Sequence, residues 1–66
     1  MDKFDAISME IGKLIRENNN EKIVSKFIEL KEYVENNYSK SEEYYKLLLT
    51  ICIEIVKYSS LFDKEL

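Results

Sequence analysis

Between Tyr44 and Phe62 the chain carries more apolar side chains than a single buried helix face can hold. At about 100° per residue, Lys46, Thr50, Glu54 and Lys57 fall within roughly 80° of arc, whereas Leu47, Leu48, Leu49, Ile51, Cys52, Ile53, Ile55 and Val56 spread over about 240°. An amphipathic helix of a globular protein hides a stripe only about 100° wide. The surplus needs cover. In a chain of 66 residues it can come from the other helices, from a second copy or from a foreign partner.

That length makes one domain, 1–66, and a domain this small buries only about 60% of the surface its unfolded chain exposes. Self-association or partner binding is therefore a reasonable source of extra stability. The chain has no Pro, one Gly and an abundance of Glu, Lys, Leu and Ile, most of them residues that lose little rotamer freedom in a helix. The fold class expected is all-α, a small bundle of three antiparallel helices over about 3–18, 20–37 and 40–60.

In the first helix Phe4, Ile7, Ile11 and Leu14 step by three and four, and Ile15 widens the stripe. Met9 and Gly12 lie opposite, among Asp2, Asp5, Lys13 and Arg16. The mid-helix Gly costs about 1 kcal/mol relative to Ala and is read first as a tolerated cost or a slight bend, and second as a flat patch beside Met9 that another helix could approach. Asn18-Asn19-Asn20 punctuates the chain, because Asn tolerates left-handed dihedrals, and Asn18 with Glu21 has capping-box spacing. In the second helix Ile23, Phe27, Leu30 and Val34 form the seam, with Val24 and Ile28 beside it. Tyr33 projects from the charged side near Lys26 and Glu29.

Ser39-Lys40-Ser41-Glu42 reads as a capping box that opens the third helix at Lys40 or Ser41. Two interleaved seams follow. Tyr44, Leu48, Ile51, Ile55, Tyr58 and Phe62 form one, and Tyr45, Leu49, Cys52 and Val56 the other. Ser59-Ser60 is expected to end the helix, with Leu61, Phe62 and Leu66 folding back. Tyr38, Tyr44 and Tyr58 should sit at the rim of the core. Helices 1 and 2 offer narrower stripes than helix 3, so Tyr45, Leu49, Ile53 and Val56, together with Tyr33, are the candidate protein-interface residues, and self-association through helix 3 is expected.

Catalytic chemistry finds little footing. The chain has no His, and its one Cys has no base to activate it, which removes nucleophilic triads and Cys-His metal sites. One isolated Gly cannot form a phosphate-cradling loop. No catalytic, metal or cofactor site is expected, and no cofactor. A net charge of −3 without a basic segment argues against nucleic-acid binding. The acids of helix 2 alternate with Lys, so they build no continuous negative stripe that would imitate DNA.

No run reaches the roughly 20 apolar residues of a membrane span. A peripheral membrane helix would prefer a basic polar face over this mixed one. The terminal Asp63-Lys64-Glu65-Leu66 matches an ER-retrieval tetrapeptide, but Met1-Asp2-Lys3-Phe4-Asp5 is not the start of a signal peptide, so the match is read as chance. With its unpaired Cys, the chain is expected in the cytoplasm.

The spacing of a helical hairpin and a further helix does not carry the tetratricopeptide pattern. With Gly12 as the small residue, Ile15 would stand at the aromatic position and Asn36 at the proline. The sequence thus leads to a non-enzymatic interaction module that docks on another protein. A stoichiometric regulator of inhibitor, antitoxin, immunity or anti-defence type fits that description. Nine Lys against one Arg, with abundant Ile and Asn, suits an AT-rich bacterial or phage genome. The alternative is a structural homodimer whose interface accounts for the apolar excess.

Overall fold

The computed structural model describes residues 2–65, which form three helices: α1 (Lys3–Arg16), α2 (Asn20–Asn37) and α3 (Glu42–Glu65). α1 starts where the Asp2 carboxylate accepts the Phe4 backbone N–H at 2.9 Å. It ends two residues earlier than the periodicity suggests. Asn18 takes φ 55°, its N–H donates to the Ile15 carbonyl, and the Asn19 N–H reaches back to Leu14. These two bonds satisfy carbonyls that a helix end leaves orphaned, around a left-handed residue that Asn tolerates better than most.

Asn19, not Asn18, caps α2, its side-chain oxygen accepting the Lys22 N–H at 3.3 Å. Asn18 cannot do both jobs, because the left-handed backbone that closes α1 is not the extended backbone an N-cap requires. The same displacement occurs ahead of α3. There the Ser41 hydroxyl, not that of Ser39, accepts the Tyr44 N–H at 3.2 Å, and the helix begins at Glu42. Glu42 and Glu43 then lie in the first turn, where the helix dipole favours acids.

Ser59-Ser60 does not end α3. The helix continues to Glu65, and the Asn20 side-chain amide donates to the Glu65 carboxylate, fastening its last turn to the start of α2. With no Gly or Pro nearby, two serines cost too little helix propensity to break a helix held at both ends. Leu61 and Phe62 therefore remain helical, and the expectation for Leu66 lies outside the described residues.

The helices alternate in direction. Asn20 meets Glu65 and Phe27 stacks on Tyr58, so α3 runs against α2, and Phe4 lies 6.1 Å from Tyr38, so α1 does too. Ile7 and Ile11 of α1, Leu30 and Val34 of α2, and Tyr44 and Ile51 of α3 form the core cluster. Tyr44, expected at the rim, is buried within it.

α2 is the middle element. It packs against both neighbours, whereas no Cα of α1 comes within 8 Å of α3 among the described residues. A closed bundle with interaxial distances of about 8–10 Å would bring those backbones closer. The molecule is accordingly flattened, with extents of 37 × 24 × 14 Å. Its 4730 Å² of accessible surface exceeds the roughly 4,400 Å² of a compact monomer of this mass. Each outer helix thus has one backbone neighbour and one open flank.

Candidate docking face

The consequence falls on α3. Its first seam turns to α2 and the core: Tyr44 and Ile51 are buried, and Leu48, Ile55, Tyr58 and Phe62 are half-buried. The second seam and its neighbour stay in solvent, with Tyr45 57%, Leu49 62%, Ile53 56% and Val56 66% exposed and Cys52 half-buried among them. α1 has no backbone contact with α3, and nothing among the described residues covers this seam.

Five apolar residues therefore line one arc of a helix about 36 Å long. Lys46 and Lys57, both exposed, border the arc on one side. Glu42 stands at its amino-terminal end and pairs with Lys46 at 3.2 Å, while Thr50 donates its hydroxyl proton to the Lys46 carbonyl. Glu54, which the sequence groups with Lys46, Thr50 and Lys57 on a polar arc, is half-buried while the other three are exposed.

On the other side the arc borders α2. The Lys31 ammonium is held above its ordinary 10.5 mainly by the hydrogen bond and charge of Glu35 at 3.0 Å, with a smaller contribution from Cys52 across the seam. Ile28 falls about 60° beyond Lys31 on α2 and is 42% exposed, which extends the apolar surface past α3. The sequence places Ile28 beside the α2 seam. Its offset from Ile23, Phe27, Leu30 and Val34 is the mark that it faces outward.

Tyr33 is elsewhere. Instead of projecting among charges, it is half-buried against the core, donates its hydroxyl proton to Asp2 at 3.5 Å and meets Tyr38 edge-on at 6.1 Å. Lys3 Nζ lies 5.9 Å above its ring. Burial against α1 and then the Asp2 charge hold its phenol above the ordinary 10.0. Tyr33 tethers the start of α1 to the end of α2, so it does not share a surface with Tyr45, Leu49, Ile53 and Val56.

Met9 is 61% exposed on the outer side of α1, beside a shallow open depression lined by Ala6, Glu10, Lys13 and Arg16. Within the chain, nothing packs closely on Gly12. A Cβ there would meet nothing nearer than Arg16 Nη1 at 3.7 Å, an ordinary contact. Among the described residues no group of His, Cys, Asp or Glu is arranged to hold a metal ion, and no helix is long and apolar enough to cross a membrane. Comparison of the chain with protein-family models, with curated proteins and with solved structures gives no significant match.

Proposed function

We propose that this chain is a small non-enzymatic interaction module that acts stoichiometrically, docking on another protein chain through the outer face of α3. The observation that carries the reading is the exposure of Tyr45, Leu49, Ile53 and Val56 together on one helix arc that α1 cannot reach. Grouped apolar side chains with a charged border have the anatomy of a docking patch: a few anchors supply affinity and the rim supplies orientation. A cytoplasmic regulator of inhibitor, antitoxin, immunity or anti-defence type, of bacterial or phage origin, suits the chain's size, composition and lack of catalytic groups. The same stripe also supports a second reading, a structural homodimer in which the interface is the whole explanation.

The test is affinity capture from the cells that encode the chain, using the wild type beside a Leu49→Lys, Ile53→Lys double variant. Both positions are more than half exposed, so the double variant should retain its circular dichroism. A protein held in stoichiometric amount by the wild type and released by the variant is the expected result. Capture that is indifferent to the two lysines removes the docking role of this face.

A further inference from the structure

We infer that the occupant of the α3 stripe is a second copy of this chain, seated antiparallel, and that the pair is a weak, reversible two-fold dimer. The inference rests on the reading of the stripe as a docking face and names what sits on it when no foreign partner is bound. Spacing within the stripe argues for the orientation. Tyr45, Leu49, Cys52 and Val56 recur at intervals of four, three and four, the spacing of a helix–helix seam.

With two such helices antiparallel and the two-fold axis level with Thr50 and Ile51, each Tyr45 lies opposite the other copy's Val56. Each Leu49 then lies opposite the other copy's Cys52. Every layer sets a large side chain against a small one, which fills the space between the helices without a clash or a void. A two-fold contact of this kind is self-complementary, and it closes at two copies.

Glu42, Lys46 and Lys57 lie on the same flank of the stripe. In the antiparallel pairing Lys57 lies about 3 Å, measured along the axis, from both the other copy's Glu42 and its Lys46, so attraction and repulsion offset and the layers of the seam alone set the orientation.

The area sets the strength. At their exposures, Tyr45, Leu49, Ile53 and Val56 offer roughly 300 Å² of apolar side chain per copy. Doubled, and with the polar rim added, the contact reaches about 1,000 Å², the lower bound for a specific interface. A dissociation constant of about 1–100 µM is the corresponding expectation.

Sedimentation equilibrium from about 1 µM to about 1 mM, a range chosen to bracket that constant, should show the mass rising from one chain to two. The Leu49→Lys, Ile53→Lys variant should stay at one chain with unchanged helix content. Disulfide trapping reads the register. Leu49→Cys places a thiol in the same layer as the other copy's native Cys52, so mild oxidation should yield a covalent dimer.

The wild type, whose two Cys52 residues are offset by about 4.5 Å along the axis, and the Leu49→Cys, Cys52→Ser variant should both trap far more slowly. Equal trapping of Leu49→Cys with and without Cys52 overturns the antiparallel register. A wild type that remains one chain to 1 mM, which is about tenfold above the weakest expected constant, overturns the second copy. If the stripe variant still loses a captured partner, the docking reading survives that result. If it does not, both fall.

Discussion

Val34 and Val56 allow one substitution to be tried in two environments. Val34 is fully buried where α2 meets the core, and Val56 is 66% exposed on the outer arc of α3. Truncation to Ala removes two carbons. At Val34 that forfeits about 1.6 kcal/mol of transfer free energy, to which a residual cavity adds roughly 0.5–1 kcal/mol. Ala is the better helix former by about 0.5 kcal/mol, which offsets part of the loss.

Val34→Ala should therefore destabilise by about 2 kcal/mol, whereas Val56→Ala, with little packing to lose, should be neutral or stabilise by up to about 0.5 kcal/mol. For a chain of 66 residues the unfolding entropy is about 0.14 kcal/mol/K, so 1 kcal/mol shifts Tm by about 7 °C. Val34→Ala should lower Tm by about 14 °C, and Val56→Ala should leave it within about 4 °C. The assay is thermal unfolding by circular dichroism at low micromolar concentration. A loss of more than 1 kcal/mol at Val56, which is more than an exposed Val can supply, would mean that the outer face of α3 is packed within its own chain if the loss did not vary with concentration. The argument for an open flank would then be wrong.

Gly12→Ala should stabilise by about 0.5–1 kcal/mol, since the added methyl meets only ordinary contact and the helix interior gains propensity; a loss of stability in urea would show that the outer face of α1 needs the gap. Ser41→Ala should cost about 1 kcal/mol and Ser39→Ala no more than a few tenths, because only Ser41 caps the Tyr44 N–H; the reverse order of urea midpoints contradicts this cap. Tyr33 and Lys31 both hold their protons more tightly in the folded chain than in the unfolded one. Their contributions are therefore complete below the ordinary values of 10.0 and 10.5, and each is lost as pH rises through the raised folded value. Unfolding midpoints should hold steady up to about pH 9 and fall above it. Tyr33→Phe should fall less steeply, and identical slopes for the two proteins would remove Tyr33 from the account.

Three helices, their order and most of their core residues are legible in the sequence, because Ile7, Ile11, Leu14, Ile23, Leu30, Val34 and Ile51 recur at helical spacing and all are buried, whereas Tyr44 reads as a rim residue and is buried too. Helix ends are less legible where equivalent residues compete. Asn18 and Asn19 are both able to cap, as are Ser39 and Ser41, and only the path of the backbone decides between them. The end of α3 depends on a contact forty-five residues away in sequence, from Asn20 to Glu65, and no local pattern records it. Tyr33 reads as surface because its neighbours on α2 are charged. The start of α1 that partly covers it is folded there by tertiary packing. The width of the α3 arc is visible in the residues, but which part of it stays open follows from α1 lying across α2.

That placement of α1 bears on the order in which the molecule comes apart. α1 has α2 as its one backbone neighbour and is fixed at its amino-terminal end by the Tyr33, Phe4 and Tyr38 contacts. Amide protons of Ile7 to Leu14 should consequently exchange with solvent before those of Leu30 and Val34, whose helix is clamped from two directions. Detachment of α1 would leave the α2–α3 hairpin with Leu30 and Val34 newly wet. Loss of α1 would thus bare a second apolar surface, made of residues that the intact fold keeps from water.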